Sequence, residues 1–186
     1  MNETLRIIKD RYSCRDFTEK APSQDQLEEI IDAALHAPSA LNRQQWQVIV
    51  IKNKDILAEM EEEGLRVMKE KDDSLYQLLQ SRNGTIFYHA PCMVLIAIKP
   101  AEQIGEELID LGIVAQNIVI AASSLDLASC HLGLARFCFL GGKAQRFKEK
   151  LSFNEGYEFG LAVLLGEAKA KKNPHSIDPS KVTIVE

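Results

Sequence analysis

The longest helix-forming stretch, Glu106 to Ala128, is apolar nearly all the way round: Leu108, Ile109, Leu111, Ile113, Val114, Ala115, Ile118, Val119, Ile120, Ala121 and Ala122 leave no consistently wet face. A helix of this kind has to be covered on most sides. Asp110, Gln116, Asn117, Ser123, Ser124 and Asp126 lie in the same stretch and are too polar for lipid, so it reads as a buried helix and not a membrane span. A chain of 186 residues, 46% hydrophobic and 26% charged, supports one substantial core, and the expectation is a single domain over 1–186. One core covers one face of such a helix. The remaining face points to a subunit interface.

The elements around it follow from local pattern. Glu3 to Lys9 fits a short helix with Leu5, Ile8 and Ile7 turned inward. Pro22-Ser23-Gln24-Asp25-Gln26 starts another, with Ser23 as N-cap and Gln26 closing a capping box. Leu27, Ile30, Ile31, Ala34 and Leu35 carry it on until Pro38, and strand-like Val48-Ile49-Val50-Ile51 follows. Asp55 to Lys71 fits a helix with one wet face, weakened at Gly64. Ser74 to Tyr88 is ambiguous between helix and loop, with Ser81-Arg82-Asn83-Gly84 as an interruption. The continuous apolar run Pro91 to Ile98 has the signature of a central strand covered on both faces. After the long helix, Ser129 to Phe137 reads as a loop leading into an edge strand. Lys143 to Leu151 is a short basic helix, Tyr157 to Leu165 a last strand, and the tail from Gly166 an extended polar arm.

The pattern is α+β with few βαβ units. No GxGxxG follows a strand, and Gly141-Gly142-Lys143 lacks the upstream glycine of a P-loop, so a classical dinucleotide fold is disfavoured. A net charge of −5 gives no basic footprint for nucleic acid, and no lysine-rich block suggests a membrane surface. Cys14, Cys92, Cys130 and Cys138 form no CxxC pair and no ligand cluster with the histidines, so they read as reduced thiols and no metal site is expected. The N-terminal residues lack a signal-peptide layout, and the expected compartment is the cytoplasm.

Two stretches are richer than their structural duties require. Ala37 to Trp46 joins a helix to a strand, yet it holds a proline, small residues, the amides Asn42, Gln44 and Gln45, and the only tryptophan. Small residues with amides suit the close approach of a flat polar heterocycle; the plain alternative is a proline-stopped helix end with Trp46 in the core. In Arg11 to Phe17, extended backbone puts Arg11, Ser13 and Arg15 on one side, a set suited to a phosphate and an electron-rich carbonyl edge. Here the alternative is two solvated arginines in salt bridges.

Arg11-x-Ser13-x-Arg15-x-Phe17 followed by Ala37-Pro38-Ser39-Ala40-x-Asn42-x-Gln44-x-Trp46 resembles the flavin-binding signature of the nitroreductase family. Asp110-Leu111-Gly112-x-x-x-Gln116-Asn117 resembles the start of that family's central dimer helix, Ser129-Cys130 with Gly133 the segment after it, and Tyr157 to Gly166 its last core strand. The resemblance implies an α+β homodimer with a central mixed sheet flanked by helices, an extended C-terminal arm, and FMN bound at the subunit interface. It also implies hydride transfer from NADH or NADPH onto FMN and ping-pong reduction of a nitroaromatic, quinone or similar small acceptor.

By the same resemblance, Arg11 and Ser13 would hold the FMN phosphate and Arg15 the pyrimidine edge, with Asn83 and Gln44 reading the imide and carbonyl edge. Pro38, Ser39, Ala40 and Asn42 would line the ring and ribityl chain from the partner subunit, and Tyr12, Leu41, His131, Leu132 and Gly133 would complete the contacts. Lys171 or Lys172 would replace the family's arginine pair at the phosphate. No general acid is assigned, because the flavin carries the chemistry. Gln45 stands where the family usually has proline, and His131 where tryptophan is frequent. Other readings are a different flavin reaction on the same fold, such as dehalogenation or flavin fragmentation, and a non-catalytic FMN-binding carrier or redox sensor.

Overall fold

The computed structural model describes residues 1–82, 84–100 and 105–186. Its elements, in chain order, are α1 (Glu3–Asp10), α2 (Gln24–Leu35), β1 (Trp46–Ile51), α3 (Lys54–Lys71), α4 (Asp73–Gln80), β2 (Cys92–Ile98), α5 (Glu106–Ser124), β3 (Ala128–Leu132), α6 (Ala144–Lys150) and β4 (Glu158–Gly166). The sheet order is β1-β2-β4-β3.

All three pairings of these strands are antiparallel. Among the described residues the parallel component of the mixed sheet is a single bridge, Ser13 to Ser129, on the outer edge of β3. Strand β2 is buried along its whole length. Alternation divides its side chains between two cores. Met93, Leu95 and Ala97 face a layer built from α3, α6 and the 3₁₀ segment Gly133–Phe139. Cys92, Val94, Ile96 and Ile98 face α2 and α5. Trp46 belongs to that second core, so the plain reading of the tryptophan holds.

Helix α2 starts as expected. The Ser23 hydroxyl accepts from the Gln26 amide at 3.2 Å while the Gln26 side chain accepts from the Ser23 amide at 3.0 Å. Helix α3 continues through Gly64 because the position has to be small: a Cβ there would lie 3.0 Å from both Cys138 Sγ and Ile86 Cδ1. Helix α5 is shorter than the sequence suggested. It stops at Ser124, where Asp126 takes a left-handed φ of 57° and turns the chain into β3. The edge strand consequently comes earlier than expected, at Ala128–Leu132, and the residues after it coil into the 3₁₀ segment.

The extended tail is fastened where it leaves β4. The Thr18 amide donates to the Glu167 carbonyl at 2.8 Å, the Lys169 amide to the Asp16 carbonyl at 3.1 Å, and Phe17 bridges Ala168. Buried Phe17 anchors this stitch. It carries Lys171 and Lys172 up to the N-terminal arginines.

Candidate functional site

Segment 11–17 is built on the edge of β3. The Cys14 amide donates to the Ser129 carbonyl at 2.9 Å, and Cys14 and Phe17 point into the core. Arg11 and Ser13 remain half-buried and Arg15 exposed, but Tyr12 is half-buried and Asp16 exposed as well, so burial does not follow a strict alternation.

Two cavities open along this segment. The larger, about 600 Å³, is lined by Arg11, Tyr12, Ser129, Lys171 and Lys172, with Ser123 and Ser124 from the end of α5. Of the acidic groups on its rim, Glu3 and Asp10 pair with Arg6, which also lines the cavity, and Glu167 with Lys20 and Thr18, while Asp126 forms no ion pair among the described residues. The smaller, about 260 Å³, is lined by Arg15, Arg82, Lys172 and Tyr88 against a leucine wall. Among the described residues, none of Arg11, Arg15, Arg82, Lys171 or Lys172 forms an ion pair. Salt bridges therefore do not account for the two arginines of the N-terminal motif. Ser129 is 2% exposed, and its hydroxyl has no hydrogen-bond partner among the described residues. A buried polar atom without a partner costs about 1–3 kcal/mol, which a ligand accepting its proton would recover.

The second motif is a strained, self-braced loop. Leu41, Asn42 and Gln44 have φ of 53°, 54° and 49°, left-handed values that disfavour residues with a Cβ. The bracing is polar. The Gln44 amide donates to Ser39 Oγ at 2.9 Å, Gln44 Nε2 to Asn42 Oδ1 at 2.7 Å, and the Ala40 amide to Asp110 Oδ1 at 3.1 Å. Arg43 pairs with Glu106 at 3.2 Å. Thus Pro38, Ser39, Ala40, Leu41, Asn42 and Gln44 sit at the start of α5, whereas Arg11, Tyr12, Lys171 and Lys172 gather at its end. From Asp110 to Ser124 the helix rises about 21 Å at about 1.5 Å per residue. One chain does not bring the two motifs together.

The remaining predicted residues fall between these ends. His131 lies on β3 opposite Val163, on the face toward α5, and burial lowers its pKa, with a smaller lowering from the charge of Arg11. The Leu132 side chain is committed to the core, so only its backbone is available to a ligand. Gly133 opens the 3₁₀ segment. Asn83 lies outside the described residues. Burial pushes the Cys14 and Cys130 thiols up, and Cys92 and Cys138 up to about 12, so these are packed groups and not nucleophiles. The reading of single residues missed the unpartnered hydroxyl of Ser129 and the cavity position of Arg82. For Arg82 the available signal was its place in the break after α4.

A family model described as the nitroreductase family matches residues 8–166. The chain is similar over its whole length, at 47% identity and a TM-score of 0.96, to the crystal structure of a nitroreductase with bound FMN from Desulfitobacterium hafniense DCB-2; all of that chain is covered. A nitroreductase with bound FMN from Bacteroides fragilis NCTC 9343 is 26% identical with a TM-score of 0.90, both chains being covered in full. A protein from Methanothermobacter thermautotrophicus, provisionally described as an NADH dehydrogenase/NAD(P)H nitroreductase, is 28% identical over 134 residues, which span 71% of this chain and 61% of that protein.

Proposed function

The chain belongs to the nitroreductase family, and on that premise we propose that it is an FMN-dependent NAD(P)H oxidoreductase that reduces a nitroaromatic, quinone or similar small acceptor by a ping-pong cycle. The observation that carries this reading is the larger cleft, where Arg11, Lys171 and Lys172 converge, none of them in an ion pair among the described residues, beside the unpartnered hydroxyl of Ser129. That donor set fits a phosphate, which takes a forked guanidinium, ammonium charges and neutral hydroxyls together. When bound, FMN supplies the redox chemistry, taking hydride from NAD(P)H and passing the electrons to the acceptor.

The chain's own residues bind and tune. Arg11, Ser13, Ser129 and a tail lysine hold the phosphate, while Arg15 places fixed positive charge at the pyrimidine edge and favours the electron-rich form. The strained loop from Pro38 to Gln44 offers small side chains and amides for the ring. Because that loop and the cleft lie at opposite ends of α5, the complete site needs the loop of a second copy.

The open face of α5 supports a homodimer. Leu108 and Ile109 are 61% and 66% exposed, and a Cβ built on Gly112 between them and Ile113 meets nothing within 4 Å. A cavity of about 230 Å³ beside this face is lined by Pro38, Ser39, Ala40, Ile109 and Ile113, so helix face and loop would be covered together. The tail adds exposed apolar groups at Ile177, Val182, Ile184 and Val185, which suit an arm lying on a partner. The inward face of α5 is packed into the second core, so its apolar character is that of a core helix, in keeping with a cytoplasmic protein.

The direct test is the visible absorption spectrum of the purified protein before and after anaerobic addition of NADH or NADPH. Flavin bands that bleach with either nucleotide are the expected result. A protein that cannot be reconstituted with FMN overturns the reading, and bound flavin that neither nucleotide reduces makes the protein a carrier or sensor.

A further inference from the structure

The smaller cavity holds more positive charge than the cofactor assignment uses. On that assignment Arg11 and Ser129 meet the phosphate from the larger cleft, Ser13 from beside it, and Arg15 meets the ring, which leaves Arg82 without a role. Arg82 sits just beyond α4, its amide donating to the Leu79 carbonyl at 3.1 Å, so its backbone is tied to a residue that lines the same cavity. An arginine after a helix is favoured by the helix dipole and by itself asks for no ligand. Here, however, Arg82, Arg15 and Lys172 line one cavity of about 260 Å³ in a protein of net charge −5, and none of them has an anionic partner among the described residues.

The opposite wall is apolar. Leu75 and Leu79 from α4 and Leu134 from the 3₁₀ segment line it, and Leu78 remains 48% exposed although it faces the cavity. A leucine surface beside a forked cation matches a flat apolar molecule bearing an acid group: the body covers the leucines and the acid takes the guanidinium in paired hydrogen bonds. We propose that Arg82 is a specificity residue that selects an anionic acceptor, an aromatic or quinonoid molecule carrying a carboxylate or similar acid group. This rests on the FMN oxidoreductase reading given above.

The experiment compares 4-nitrobenzoate with its neutral isostere 4-nitrobenzamide as acceptors for the FMN-loaded wild type, Arg82→Gln and Arg82→Lys, each with saturating NADH and again with NADPH. In Arg82→Gln, kcat/KM for the benzoate is expected to fall about tenfold to a hundredfold, mostly through KM, the scale of a lost charge-assisted hydrogen bond. The benzamide value stays within about twofold and the FMN content is unchanged. Arg82→Lys recovers part of the benzoate rate, because it restores charge without the fork. An unchanged benzoate-to-benzamide ratio in Arg82→Gln overturns the proposal, as does an equal loss with both acceptors. A loss confined to NADPH also overturns it, by assigning Arg82 to the donor's phosphate. Wild-type protein that holds no FMN removes the underlying reading and this proposal with it, a failure visible in the spectrum before any acceptor is added.

Discussion

The segment around Arg11 to Arg15 and the loop from Pro38 to Gln44 are both irregular pieces of chain near the surface, but they are held in opposite ways. The first is fixed through its backbone to β3 and the tail, with Cys14 and Phe17 as buried anchors. Its arginines are thereby left uncommitted. The second is fixed largely by polar side chains, Ser39, Asn42, Gln44 and Asp110, which tie down left-handed backbone while Leu41 stands 82% exposed. A region held by its main chain can offer charge to a ligand. One held by its own side chains offers shape, and it is unfinished until another surface covers it.

The largest expected effect follows from the unfinished side. Ile109→Asp on the open face of α5 would bury a charge in the proposed subunit contact, a penalty of several kcal/mol, so sedimentation should show monomer, with FMN affinity falling in parallel. Retention of a flavin-loaded dimer would break the comparison. Next, Arg11→Ala removes a charge-assisted contact of about 1.5–3 kcal/mol, expected to weaken FMN binding about tenfold to a hundredfold in a fluorescence titration while thermal stability hardly changes. Arg15→Ala should leave FMN bound but harder to reduce, by roughly 30–60 mV if a similar energy is lost from a two-electron couple; an unaltered potential would count against its place at the ring. Smallest is Asp110→Ala, which frees the Ala40 amide. A loss of about 0.5–1.5 kcal/mol should lower Tm by a few degrees, with the accompanying loss of FMN affinity showing that loop shape, and not loop charge, serves the cofactor.

Much of this architecture is legible residue by residue. The Ser23 and Gln26 capping box is a local, reciprocal arrangement that sequence spacing specifies completely, and the unbroken apolar run in β2 announces burial on both faces. The end of α5 is not legible in this way, because the turn there uses a left-handed aspartate, Asp126, where a glycine would have announced it. Nor does any periodicity reveal that Ala40 hydrogen-bonds to Asp110, 70 residues away, and that bond is what sets the second motif at the far end of α5 from the first. The family resemblance proposed the members of the site and already implied that the second motif serves the partner's cofactor. The distance between the two motifs, the length of α5 from Asp110 to Ser124, came only with the fold.

The strand order has a consequence for how the molecule is made. Strand β4, last to leave the ribosome, lies between β2 and β3 in the middle of the sheet. Until it arrives, β1 and β2 can pair as neighbours, but β3 lacks its strand partner and β2 has an open side. Sheet closure is therefore a late event dominated by distant pairings, the kind that makes folding slow and leaves strand edges exposed meanwhile. The tail that follows β4 delivers Lys171 and Lys172 to the cleft, so on the proposed assignment a nascent chain that had not yet passed these lysines would lack part of its phosphate site even with every strand made.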